Sequence, residues 1–266
     1  MGFSELKSRI NGLLSRGGFR LVDLKAAMNV DSWNGLNLIY PLAAHYLSKR
    51  PEGIVLMQIG ANDGVSGDVV RSVLALPKVQ AILVEPNPVV FRKLEALYRD
   101  RPEIITANVA ISDRGGTQPF YVGELPEGAP ESSELTKISS FSRAHVETLV
   151  AAYNGRTEGP QARVGQINVK CASIRELMNE HGFGAIDLLA VDAEGYDYVI
   201  VKSALASGLA VPMIQFEFKN MSRAQFAEIT ELLAANKYIF ARTGLDIFAV
   251  HEPVYKASFP EFLVAG

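Results

Sequence analysis

The chain has 266 residues, 48% hydrophobic and 21% charged, which at roughly 150 residues per domain predicts one large globular domain or two small ones, long enough to bury a core without disulfides or metals. Its 26 basic and 29 acidic residues give a net charge of −3 with no basic stripe, so nucleic-acid binding is not expected, and the single cysteine, Cys171, excludes an internal disulfide and a cysteine-built zinc site. No basic segment leads into an apolar core at the N-terminus, Leu6 stands where a myristoylation signal wants Ser or Thr, and no apolar run approaches 18 residues, so the expected compartment is the cytoplasm.

Residues 1–50 read as a helical cover: Ser4 as N-cap, Leu6, Ile10, Leu13 and Leu14 at helical spacing, Gly17-Gly18 as the stop, then a second helical run over 36–47. The period then changes. Short, nearly continuous apolar runs at 54–59, 81–84, 104–107, 186–191 and 213–218 read as strands covered on both faces. Helical patterns at 68–76, 88–98, 173–180 and 222–236 separate most of them, and Ser173 with Glu176 makes a capping box. Such alternation predicts a parallel sheet with right-handed crossovers. Runs at 238–241 and 247–250 around Thr243-Gly244 predict a closing antiparallel hairpin. Residues 112–172 are irregular: strands at 117–122 and 166–171, a helix at 141–153, and Gly-, Pro-, Glu- and Ser-rich loop between them. We read this stretch as an insertion over the sheet whose loop 124–140 is mobile without ligand and closes over a substrate.

The strongest local signal is the glycine loop after the first strand, with Gln58, Gly60, Ala61, Asn62, Asp63, Gly64 and Asp68. Such a loop brings backbone N–H groups to a ligand at the switch point of an α/β sheet. Counting from Gly60, the third and sixth positions are Asn62 and Val65, so the dinucleotide glycine fingerprint fails, and no lysine completes a phosphate loop. Asp63 and Asp68 would repel a diphosphate but suit an ammonium and a sulfonium, which points to S-adenosylmethionine rather than NAD or ATP. Glu85, 25 residues after Gly60 and followed by Pro86, ends the second run where a carboxylate can accept from ribose hydroxyls. A helix N-terminal acid is the plainer alternative for Glu85.

These residues resemble the FkbM-type S-adenosylmethionine-dependent methyltransferases. The resemblance covers about residues 55–250 and rests on Ile59-Gly60-Ala61-Asn62-Asp63-Gly64, Val84-Glu85-Pro86, Asn108-Val109-Ala110-Ile111-Ser112-Asp113, the run 186–195 ending in Asp192-Ala193-Glu194-Gly195, and Gln215-Phe216-Glu217. Gln58 departs from it, standing where many members carry Asp. The resemblance implies an α/β, Rossmann-like class I methyltransferase fold. Its seven-stranded, mostly parallel sheet would end in the antiparallel hairpin, with 1–50 as cover and 51–266 as the catalytic domain carrying the insertion. It also implies that Gly60, Ala61 and Gly64 shape the cofactor loop, that Glu85 holds the ribose, and that Asn108, Val109 and Ala110 flank the adenine, with Ser112 a weaker candidate. A turn role for Asn108 is the plainer alternative.

Asp192 and Glu194 follow the fourth run at its carboxyl end, where a carboxylate can accept a proton from a substrate hydroxyl; Asp192 alternatively only binds loop amides or cofactor. Glu217 is the candidate third acid should the pair hold a divalent metal, though no metal is expected. His181 and His251 fall at the opposite sheet edge, and His45 and His145 reach the site only as parts of a cover, so all four read as solvated or core histidines. Trp33 is expected to pack, or to stack on a ring substrate. The expected function is O-methylation of a small hydroxylated acceptor, a sugar or glycosylated natural product, with S-adenosylmethionine as cofactor and a homo-oligomer possible. A nucleotide-dependent oxidoreductase and a catalytically silent cofactor-binding module are the alternatives.

Overall fold

The computed structural model describes residues 39–65, 68, 70–129 and 134–258. The expected first helix, Trp33, and residues 130–133 of the expected lid loop lie outside the described residues.

Helix α1 (Ile39–Leu47) leads into β1 (Ile54–Ile59), the short α2 (Arg71–Leu74), β2 (Val79–Val84), α3 (Pro88–Tyr98) and β3 (Ile104–Ala107). After the insertion come α5 (Ile174–Glu180), β8 (Leu188–Val191), α6 (Asp197–Ala206), β9 (Met213–Glu217) and α7 (Arg223–Ala235). The hairpin β10 (Tyr238–Thr243) and β11 (Asp246–His251) and helix α8 (Glu252–Ser258) follow. Seven strands form one sheet in the order β10-β11-β9-β8-β1-β2-β3, parallel except where β11 pairs antiparallel with both β9 and β10. This is the seven-stranded, mostly parallel sheet with a closing antiparallel hairpin that the resemblance implied.

Alternation along the strands explains their continuous apolar runs. Met57, Ile59, Ile82, Leu189 and Phe216 pack on one face with Leu177, Val201 and Leu233 from α5, α6 and α7. Leu56, Ala81, Leu83, Leu188 and Met213 pack on the other with Ile39, Val73 and Leu94 from α1, α2 and α3. Successive side chains point to opposite faces, so a sheet covered on both sides needs apolar residues throughout.

The insertion forms a four-stranded sheet, β4 (Ala110–Ile111), β7 (Arg163–Ala172), β5 (Gly116–Glu124) and β6 (Ser139–Ser140), in that order. A 3-10 turn (Leu135–Lys137) and helix α4 (Arg143–Arg156) pack on it through Leu135, Ile138, Val146 and Val150. Helix α4 starts later than the spacing predicted because Ser142, not a residue before Phe141, caps it by accepting from the His145 N–H. Helix α6 has no counterpart among the expected elements. Its Tyr-Val-Ile-Val start favours a strand by propensity, and packing against the sheet overrides that. The helix expected at 68–76 contracts to the four residues of α2.

Candidate functional site

The carboxyl ends of β1, β2, β8 and β9 open onto one cavity of about 310 Å³, within the range typical of small-ligand sites. At one end lies the glycine loop. Gly60 and Ala61 both donate N–H to the Val84 carbonyl, at 3.0 and 2.9 Å, so the loop leaves β1 held against the end of β2. Glu85 is buried; Oε2 accepts from the Asn62 N–H at 3.0 Å and Oε1 from the Asn87 N–H at 2.8 Å. Burial pushes its carboxyl up to about 7 against those two bonds. Gln58 Nε2 donates to Asp68 Oδ1 at 3.1 Å, which leaves Gln58 Oε1 buried without a donor among the described residues. Burial also raises Asp68, to about 6.

Glycine at 60 is required by the backbone and by the neighbouring loop. Its φ is +82°, and a Cβ there would stand 1.8 Å from the Asp192 carbonyl oxygen. The space a side chain would fill belongs to the β8 loop, not to a ligand. At Gly64, φ +72°, a Cβ would meet Leu94, Leu97 and Tyr98 of α3, so that glycine seats the loop on the helix.

Packed against that loop stands the acidic loop after β8. Asp192 faces the open cavity, its carboxyl shifted upward by enclosure against the charges of Lys219 and Lys137. Glu194 has φ +45°, a left-handed conformation unusual outside glycine. Buried Asp197 holds the turn, accepting from the Ala193 and Gly195 N–H groups at 3.2 Å each. Burial and the neighbouring Asp192 charge push Glu194 and Glu217 up to about 7. Asp246 rises to about 6 for the same two reasons. The insertion supplies the remaining wall through Phe120, Lys137, Ser139 and Phe141.

The cavity thus brings together Gln58, Gly60, Ala61, Asn62 and Asp68 of the first loop. Glu85, Pro86, Ala110, Asp192, Glu194 and Glu217 also line it. Asp63, Gly64, Asn108, Val109 and Ser112 do not. Asp63 Oδ1 accepts from the Val65 N–H. Asn108 donates its amide to the Glu85 and Pro86 carbonyls at 2.8 and 3.1 Å, a clasp on the β2 turn. Val109 is core, and Ser112 accepts from the Arg114 N–H and the Gln118 amide. No three or more His, Cys, Asp or Glu side chains among the described residues are placed to hold a metal ion, and Glu217 Oε2 instead accepts from Asn220 at 3.2 Å.

Sequence reasoning set His145 aside, yet its Nε2 lies 3.4 Å from Glu194 Oε2. No described histidine lines the cavity, and the other three lie away from Glu194: His45 contacts the Ser258 carbonyl, His181 caps α5, and His251 stacks near Tyr238. Asp197 was also missed, although an acid two residues past Gly195 at a helix start is a readable signal.

A sheet in this order, with its cavity across the carboxyl ends of β1, β2 and β8, defines a class I methyltransferase architecture, the S-adenosylmethionine-dependent class. The chain belongs to the FkbM methyltransferase family: the family model described as Methyltransferase FkbM domain matches residues 58–240. It is 26% identical over 155 residues to the 2-O-methyltransferase NoeI of Sinorhizobium fredii (strain NBRC 101917 / NGR234). That match spans 58% of this chain and 58% of the relative's length. A methyltransferase FkbM structure from Methylobacillus flagellatus KT covers 91% of this chain, and 59% of its own is matched, at 12% identity and TM-score 0.44. The fibrillarin of Aeropyrum pernix, in complex with S-adenosyl-L-methionine, matches 79% of this chain and 74% of its own at 14% identity and TM-score 0.37. No helix among the described residues is long and apolar enough to cross a membrane.

Proposed function

We propose that the protein transfers a methyl group from S-adenosylmethionine to a hydroxyl of a small-molecule acceptor, a sugar or a glycosylated natural product. The observation that carries this reading is that one cavity is lined both by the Gly60 loop with Glu85 and by the carboxylates of Asp192, Glu194, Glu217 and Asp246. The family and the 2-O-methyltransferase relative support an oxygen acceptor.

The residues present fit the cofactor. Gln58 Oε1 lacks a donor, and an ammonium has donors to give it. Each Glu85 oxygen uses one lone pair on a backbone N–H, which leaves acceptor capacity for two ribose hydroxyls. Ala110 and Ile111 offer an apolar wall to an adenine. S-adenosylmethionine supplies an electrophilic methyl on a sulfonium. The chain's part is to align an acceptor oxygen with that methyl, to exclude water, and to take the hydroxyl proton on Glu194, with Asp192 orienting cofactor or acceptor. Hydroxyl donors suit a wall of carboxylates better than an anionic acceptor would.

Incubation with methyl-labelled S-adenosylmethionine and a panel of sugars, glycosides and simple alcohols tests this. A labelled methyl ether on a glycosidic acceptor is expected. Transfer to none of them, or to nitrogen or carbon only, would defeat the reading.

A further inference from the structure

We infer that His145, carried to the site by the insertion, is a positioning residue that holds the Glu194 carboxylate, so that the inserted arm is a working part of the active site rather than only a cover. This rests on the O-methyltransferase reading above.

Three contacts tie the arm to the loop that displays Glu194. Ser140 Oγ donates to the Glu194 carbonyl at 2.9 Å and accepts from the Ser142 N–H at 3.1 Å. The Phe141 ring lies 4.7 Å from that of Tyr196, centroid to centroid. His145 Nε2 stands 3.4 Å from Glu194 Oε2, with the two side chains 20% and 31% exposed. A Cβ on Gly195 would come within 3.9 Å of His145 Cγ, so the ring stands beside the glycine. The Nε2 to Oε2 separation is long for a hydrogen bond, as such contacts often are before substrate tightens them. Glu194 is held from both sides. Asp197 fixes the amides of Ala193 and Gly195, the arm fixes its carbonyl and carboxylate, and its left-handed backbone persists under those restraints.

Glu194 lines the cavity and His145 does not, so His145 acts through Glu194. The charged groups that bear on the pair are Asp192 after β8, Lys219 after β9, Lys137 of the 3-10 turn and Glu217 at the end of β9. Of the other acids around the loop, Asp246 at the start of β11 lines the same cavity and Asp197 at the start of α6 is engaged by the Ala193 and Gly195 amides. Burial and the Lys219 charge hold the ring below its usual range, which favours a neutral imidazole at neutral pH. A neutral ring with its hydrogen on Nε2 donates to the ionised carboxylate. In the transfer step the acceptor O–H bond breaks and its proton goes to Glu194. The freed oxygen pair forms the new C–O bond, and the S–C pair returns to sulfur.

Two measurements decide it. In the protein without cofactor, the His145 ring signals are followed by NMR against pH in the wild type and in Glu194→Gln. The wild-type titration is expected at higher pH than that of the variant, since only a carboxylate stabilises the imidazolium. Superposable curves would overturn the pairing. In turnover assays, His145→Ala should lower kcat at neutral pH by roughly 10-fold or more, as expected for one lost charge-assisted bond. The acidic limb of its pH profile should move upward, because the carboxylate has lost a donor. His145→Gln, which keeps an N–H, should restore the limb. Loss of activity with an unmoved limb, or a weakened calorimetric affinity for S-adenosylmethionine in place of a lower kcat, would overturn the positioning role. If the wild type methylates no acceptor, the O-methyltransferase reading fails, while the ring titration still decides the pair.

Discussion

Gly60 and Asp192 meet backbone to backbone: a Cβ on Gly60 would lie 1.8 Å from the Asp192 carbonyl oxygen. The loop after β1 and the loop after β8 are therefore one packed unit, and the cavity floor depends on their contact. Gly60→Ala meets both this overlap and the positive φ, which alone costs about 1–3 kcal/mol. Urea unfolding should show a loss of that size or more, together with impaired cofactor binding. Gly115→Ala is the control, since a Cβ there meets nothing within 4 Å, and its effect should stay within about 0.5 kcal/mol. Equal midpoints for the two variants would mean that the loops are not packed as described.

Asp197 accepts from the Ala193 and Gly195 amides. Removing it leaves two N–H groups without their acceptor, at about 1–3 kcal/mol for each that stays buried. Asp197→Ala should therefore destabilise the fold and depress activity, whereas Asp197→Asn, which keeps one acceptor oxygen, should do less of both. Calorimetric unfolding and an activity assay on the pair check the order; an Asn variant as damaged as the Ala variant would contradict it.

Stability should fall as pH rises from 5 to 8 in the protein without ligand. Glu85, Glu194 and Glu217 are pushed up to about 7, and Asp68 and Asp246 to about 6. A carboxyl that binds its proton more tightly folded than unfolded contributes stability at low pH. That contribution is lost as pH climbs from the unfolded value through the folded one. Glu103, Glu176, Glu228 and Glu252 shift the opposite way, but all four are on the surface, where solvent screens them. His145, held below its usual range, opposes the trend as one group against five. The urea midpoint at pH 8 should lie below that at pH 5, by a free energy on the order of 1 kcal/mol or more. A midpoint that rises over this range would contradict the burial of these groups.

Much of this was legible in the chain because the signals are local. Pro88 after Asn87 marks the start of α3, where Asn87 Oδ1 accepts from the Val89 N–H, and the expected capping box of Ser173 and Glu176 forms. The strand ends put Gly60, Glu85, Asp192 and Glu217 at one edge because parallel strands share a direction. Asn108 sits after β3, where the resemblance implies adenine, but its amide is used on the Glu85 and Pro86 carbonyls; sequence position does not reveal where a side chain points. His145 and Glu194 are 49 residues apart, joined by an antiparallel arm whose fold-back leaves no local periodicity. Helix α6 went unassigned because its β-branched residues carry little helical signal.

The most direct measurement is a calorimetric titration of S-adenosylmethionine into the wild type and Glu85→Gln, with NADH as comparison ligand. Glu85→Gln keeps one acceptor oxygen for the loop but loses the charge that both loop amides and ribose hydroxyls would share. The expected result is one site per chain for S-adenosylmethionine and none for NADH, with affinity in the variant weaker by roughly 10- to 150-fold, the equivalent of about 1.5–3 kcal/mol. Binding of NADH instead, or an S-adenosylmethionine affinity that Glu85→Gln leaves unchanged, would contradict the assignment of this cavity.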